Sequence, residues 1–158
     1  MAWMSSVCTN VGPSKCLVVY YEQLVLHPKK WMKNILEFLD IPWDENVLSH
    51  HTKINKPGGV RVSDMERSSD QIVKPVNVEA LTQWVGTYPH DVLRDMDIIA
   101  PMLREFGYNP FQNPPNYGVP DEEVFNNTKD VLQNKDFWEM RQKKMLKQMK
   151  KTGPKAIL

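Results

Sequence analysis

Apolar residues recur along this chain at helical spacing in several stretches and as a strand-like run in only one. Behind Pro28, whose fixed φ suits a first helical turn, Trp31, Ile35, Phe38 and Leu39 stand at i, i+4, i+7 and i+8. The spacing predicts an amphipathic helix that ends before Ile41-Pro42-Trp43. Residues 44–51 read as a short helix capped by Asp44. Residues 76–85 read as another, with Asn77 as its cap and Val78, Leu81, Trp84 and Val85 on one face. Pro89 then opens a stripe of Val92, Met96, Ile99, Leu103 and Phe106, which predicts a core-facing helix stopped by Gly107. Pro101 must kink or break it, because it lacks a backbone donor and clashes with the preceding turn. Two more helices are expected over 121–132 and 136–151, the second with Trp138, Met145 and Met149 on a weak apolar face. The exception is CLVVYY at residues 16–21, a short apolar and β-branched run that reads as a strand buried on both faces of a parallel sheet. One strand is not a sheet, so its partners are expected from a larger α/β domain whose earlier strands lie outside this sequence.

The length of 158 residues, 41% of them hydrophobic, allows one domain with a real core. Residues 109–120, NPFQNPPNYGVP, hold four prolines, three asparagines and a glycine and mark a boundary. The expected division is a main unit over 1–120 and a helical basic tail over 121–158. The formal net charge of +1 conceals a split, since residues 135–158 carry eight Lys or Arg against two Asp or Glu. Such a tail suits a membrane surface or a partner helix, or is a solvated, frayed terminal helix. Sparse aromatic interleaving argues against nucleic acid. No run of eighteen apolar residues occurs, and the first twenty residues lack the order of a signal peptide. Cys8 and Cys16 flank VGPSK, whose Gly12 and Pro13 can reverse the chain; the spacing permits a small disulfide loop or a pair of free thiols. No further Cys or His pair stands at ligand spacing, so no metal is expected. His50 and His51 are adjacent and read as surface residues.

Residues 58–84 carry the densest chemistry. Gly58 and Gly59, Arg61, Arg67, Ser68, Ser69 and Lys74 precede an apolar pattern, a combination that offers close backbone approach, hydroxyl donors and cations to an anion. A solvated surface loop has the same composition. Tyr21 and Glu22 stand at the carboxyl end of the expected strand, where open α/β sheets bind ligands. Tyr21 also reads as a core aromatic with a satisfied hydroxyl. Asn126-Asn127-Thr128 is an N-glycosylation acceptor pattern at Asn126, meaningful only in the secretory pathway.

Several strings taken together carry a family likeness. Cys8 and Cys16, YEQLVLHP, FLDIPW, GGV, ERSSDQIVKPVN, LTQWVG, PHDVLRDMDIIAPML and GYNPFQNPPNYGVPD resemble the tyrosylprotein sulfotransferases, collinearly from about residue 8 to about residue 121. The basic tail beyond about residue 130 lies outside the likeness. These enzymes transfer a sulfuryl group from 3′-phosphoadenosine 5′-phosphosulfate (PAPS) to protein tyrosine.

The resemblance implies the C-terminal part of a P-loop-like α/β sulfotransferase fold, working in the Golgi lumen on tyrosine-containing acidic segments of secretory and membrane proteins, with a homodimer as an option. It implies that Tyr21 contacts PAPS and that Ser68, Ser69, Asp70, Gln71, Ile72, Val73, Lys74, Pro75, Val76 and Asn77 wrap its nucleotide and phosphosulfate. Ser68 would stabilise the transition state. It also implies a Cys8–Cys16 disulfide. The family places Lys where Gln83 stands, which replaces a charged cofactor contact by a neutral amide. No phosphosulfate loop of the GxxxxGK[ST] kind occurs, and neither Glu22 nor Glu66 qualifies as the catalytic base. The expectation is a fragment, without its membrane anchor and inactive alone; the alternative is a short product that binds nucleotide or pairs with a full-length partner without catalysis.

Overall fold

In a computed structural model, which describes residues 1–59, 62 and 68–152, the chain begins with a helix that the hydrophobic pattern does not announce, α1 (Ala2–Val11). Its residues are not buried, and Trp3 is largely exposed, so no apolar stripe marks it. The Gly12 N–H donates to the Cys8 carbonyl, and the Lys15 and Cys16 N–H groups both donate to the Gly12 carbonyl at 3.1 Å. That reversal brings the Cys8 and Cys16 Cα atoms to 5.3 Å, and the two are joined in a disulfide. Protein made without reductant should therefore contain no free thiol until it is unfolded and reduced. Cys8→Ser should lower stability by about 2–3 kcal/mol, the chain-entropy value for so short a loop. Two alkylatable thiols in unreduced protein would refute the bridge.

The expected strand is not formed. Residues 16–20 run without ladder partners, Val18 is exposed, and Tyr21 instead opens α2 (Tyr21–Leu26). Backbone donors and acceptors in a strand need a neighbour to pair with, and the described residues supply none. They are accordingly helical and irregular throughout, with no strand among them.

His27 breaks the chain between α2 and α3 (Pro28–Phe38), and Pro28 stands at the first helical position as expected. Val25 and Leu26 are buried where the two helices meet. The helix α3 closes with the Asp40 N–H on the Glu37 carbonyl and the Ile41 N–H on the Leu36 carbonyl. Asp40, at φ 54, takes the left-handed position that glycine usually fills there. A 3₁₀ helix, η1 (Glu45–Thr52), follows; its Asp44 cap is as expected, accepting from the Asn46 N–H at 2.8 Å. Gly59 lies so close to Lys53 that a Cβ there would collide with the Lys53 carbonyl.

Beyond it come α4 (Ser69–Ile72) and the 3₁₀ turn η2 (Glu79–Thr82). The helix expected over 76–85 is thus only one short turn, and Asn77 is not its cap. The stripe behind Pro89 is likewise divided into α5 (His90–Arg94), α6 (Met96–Ile99) and α7 (Met102–Glu105). Pro101 accounts for the second break, as expected. Ile99 is 58% exposed and none of the stripe is fully buried, so the core-facing role expected of it is not realised. Gly107 ends α7 at φ 79, with its N–H on the Arg104 carbonyl and the Tyr108 N–H on the Leu103 carbonyl, a Schellman closure. Last come α8 (Glu122–Gln133) and α9 (Lys135–Thr152). None of the helices described is long and apolar enough to cross a membrane.

Two compact units share these elements, and each is discontinuous in sequence. The first comprises residues 1–42 and 78–120, the second residues 43–77 and 121–158. Val25, Leu26, Pro28 and Leu81 are buried in the first. In the second, Val73, Val124, Val131, Trp138 and Met145 are buried. Val124 and Val131, and again Trp138 and Met145, are seven residues apart, so α8 and α9 each bury one stripe. The tail thus buries one narrow stripe on each helix while most of its described side chains are exposed; Met149 lies outside them.

Candidate functional site

Residues 68–77 lie in the second unit and combine exposed and buried groups in a regular way. Ser68 is exposed ahead of α4, whereas Ser69 is 6% exposed. After α4, Val73, Pro75 and Asn77 are buried while Lys74 and Val76 are half-buried, the two-residue alternation of an extended segment with one face inward. The Asn77 side chain donates to the Pro75 carbonyl at 2.9 Å, and the Gln71 amide donates to the Asp70 carboxylate at 3.0 Å.

Three neighbouring elements hold this segment. From α9, the Gln142 Nε2 donates to the Ser69 Oγ at 3.1 Å. From α8, the Asn127 Nδ2 donates to the Val76 carbonyl at 3.2 Å. From η1, His50 faces the main chain of Ile72 and Lys74; burial lowers its pKa, and those backbone hydrogen bonds act the other way. His51 is also lowered, by burial first and then by His50 and Arg141. Neither histidine is the surface residue expected from sequence, because η1 packs both rings into this unit at 5.7 Å from each other. Arg141 donates to the His51 carbonyl at 2.7 Å and lies over the Trp138 ring at 5.3 Å. The Trp138 indole N–H donates to Asp130 at 3.0 Å, which locks α9 against α8.

Tyr21 and Gln83 belong to the first unit. Tyr21 opens α2 and is 58% exposed, so it is not the buried aromatic that a core role requires. Glu22, beside it, accepts the Tyr108 hydroxyl at 2.7 Å. Burial, and then the hydrogen bond and charge of Glu22, push the Tyr108 phenol well above its ordinary range. The Tyr20 ring meets Tyr108 at 6.1 Å in an edge arrangement, and the Gln23 Nε2 donates to the Tyr117 carbonyl at 2.9 Å. The Schellman closure at Gly107 fixes the position from which Tyr108 reaches Glu22. Gln83 is exposed at the end of η2. Asn126 is exposed on α8. Arg61, Glu66 and Arg67 lie outside the described residues, and among those described no group of three or more His, Cys, Asp or Glu could hold a metal ion.

Sequence reasoning gives Asn127, Gln142 and His50 no part in this site. Polar anchors carry no periodic signal of their own, but Gln142 stands one turn beyond Trp138, and that spacing places it on the buried face of α9.

A model of the sulfotransferase family matches residues 1–45. The chain is 54% identical to the protein-tyrosine sulfotransferase of Drosophila melanogaster over 143 residues, covering 90% of this chain and 29% of the relative. It is 58% identical to protein-tyrosine sulfotransferase 2 of Gallus gallus over 129 residues, covering 82% and 35%. It is 62% identical to protein-tyrosine sulfotransferase 1 of Danio rerio over 115 residues, covering 73% and 32%. A match over 143 of 158 residues must enter α9, so the likeness reaches further into the tail than the shared motifs indicate. The chain spans about a third of the length of these relatives. At this identity over most of its length, it belongs to the protein-tyrosine sulfotransferase family.

Proposed function

We propose that this chain forms the part of a protein-tyrosine sulfotransferase that closes on PAPS, in an enzyme of the Golgi lumen that sulfates tyrosines in acidic protein segments. The observation that carries this is 54–62% identity to proteins of that name, spread over most of the chain. The donor chemistry of residues 68–77 fits an anionic nucleotide: the exposed Ser68, the half-buried Gln71 and Lys74, and a main chain held from behind. PAPS, when bound, supplies the activated sulfuryl group. Ser68 donates a hydrogen bond where negative charge builds on the leaving phosphate as the sulfuryl passes to a phenol oxygen. Residues 69–77 wall the nucleotide. Glu22 accepts the Tyr108 hydroxyl and is given no part in the proton transfer.

The test is a hybrid in which this chain replaces the matching third of the Drosophila relative. It should transfer sulfuryl from PAPS to an acidic tyrosine peptide. A folded but inert hybrid would overturn the proposal. In the same hybrid, Gln83→Lys should tighten PAPS binding by about 0.5–2 kcal/mol with little change in kcat, because it restores a cation at an exposed position. Unchanged affinity would show that residue 83 does not meet the cofactor.

A further inference from the structure

The segment proposed to bind PAPS does not hold its own shape by local hydrogen bonds alone. Its most buried hydroxyl, on Ser69, and the Val76 carbonyl near its far end are each met by an amide from a helix that is remote in sequence: Gln142 on α9 and Asn127 on α8. The two helices pack on each other, and α9 also packs on α4 within the segment. Val124 and Val131 seat α8, Trp138 and Met145 seat α9, and the Trp138–Asp130 hydrogen bond ties the pair. Gln142 lies four residues after Trp138 and three before Met145, so its side chain projects from the anchored face with little freedom.

We propose that Gln142 and Asn127 are positioning residues for the nucleotide site, holding residues 68–77 in the form that meets the ligand, and that α8 and α9 are thereby part of the binding machinery rather than an appendage. The inference rests on the PAPS reading for its ligand, but not for its mechanical part. Gln142 acts at the Ser69 Oγ, one residue from Ser68, so its loss loosens the start of the segment. Asn127 acts at Val76, so its loss loosens the other end. Neither side chain touches the ligand in this scheme. Their removal weakens binding because a segment that must be ordered on binding takes an entropy loss that a pre-formed one does not.

The experiment uses the hybrid enzyme with adenosine 3′,5′-bisphosphate as the probe, and compares the unaltered hybrid with Gln142→Leu, Asn127→Leu and the control Lys144→Gln, an exposed position on the same helix. Two quantities are read: amide hydrogen exchange across residues 68–77, and the dissociation constant. Gln142→Leu and Asn127→Leu should each speed exchange at their own end of the segment and raise the dissociation constant roughly three- to tenfold, with Lys144→Gln unchanged. Gln142→Glu, whose carboxylate accepts the Ser69 hydroxyl, should restore slow exchange. Unchanged exchange in both leucine variants would overturn the proposal. Faster exchange with an unchanged dissociation constant would overturn it too, by reducing the contacts to a structural role. If the unaltered hybrid does not bind the probe while the exchange changes appear, the PAPS reading fails and takes the ligand part of the proposal with it.

Discussion

Replacing Ser68 by alanine in the hybrid enzyme is expected to lower kcat by roughly ten- to a thousandfold, the range for removing one donor that acts mainly in the transition state. Melting temperature should move little, because Ser68 is exposed. The Michaelis constant for PAPS should change less than kcat if the hydrogen bond strengthens as charge builds on the leaving phosphate. Ser68→Thr keeps the hydroxyl and should retain much of the rate. A kcat within twofold of the unaltered hybrid would remove Ser68 from the chemistry. The contrast with Ser69 sharpens the test: Ser69 is buried, and its hydroxyl accepts from Gln142, so Ser69→Ala should act on binding and stability rather than on kcat.

The second large effect is on stability. Trp138→Ala should destabilise the protein by about 3–5 kcal/mol, read as a lower midpoint in urea unfolding. Trp138 is 6% exposed, its indole N–H is taken by Asp130, and the Arg141 guanidinium covers its ring. Alanine would open a cavity, remove the hydrogen bond to Asp130 and strip the Arg141 guanidinium of the ring it covers in one change. Trp138→Phe keeps most of the volume and loses the hydrogen bond, so about 1–2 kcal/mol is expected. A loss below about 1 kcal/mol for the alanine variant would show that α9 is only loosely held. Against a total stability of about 5–15 kcal/mol for a typical domain, the expected loss is a large share.

The contrast between these residues shows what the sequence makes legible. The strings that mark the family run through residues 8–121, so the segment holding Ser68 can be found by pattern alone. Long helices with clean stripes are also readable: α3 begins at Pro28, and α8 and α9 fall within a residue or two of where their periodicity puts them. Short elements are less so, although η1 stands behind its Asp44 cap as expected. The run at residues 16–21 has the composition of a strand, but strand formation depends on partners that its own residues do not encode, and Tyr21 turns into α2 instead. Burial of His50 and His51 and the anchoring by Asn127 and Gln142 are contacts between segments far apart in sequence, which no local window registers. The basic charge of residues 135–158 points toward solvent or a membrane, yet α9 is amphipathic enough to bury Trp138 and Met145 while Lys135, Lys143, Lys144 and Lys147 stay outside.

The discontinuity of the second unit also governs the order in which the protein can mature. Ser69 and Gln142 are separated by 73 residues, Val76 and Asn127 by 51, and His51 and Arg141 by 90. During synthesis at about 5–20 residues per second, residues 68–77 therefore emerge several seconds before the helices that hold them. In that interval the first unit is completed, since it ends at residue 120, while the inner face of residues 43–77 is without its cover. Val73 and Pro75 then offer an apolar stretch to any chaperone at hand. A stop codon shortly after residue 120 would leave the family's most recognisable string present in the polypeptide and unable to take its shape.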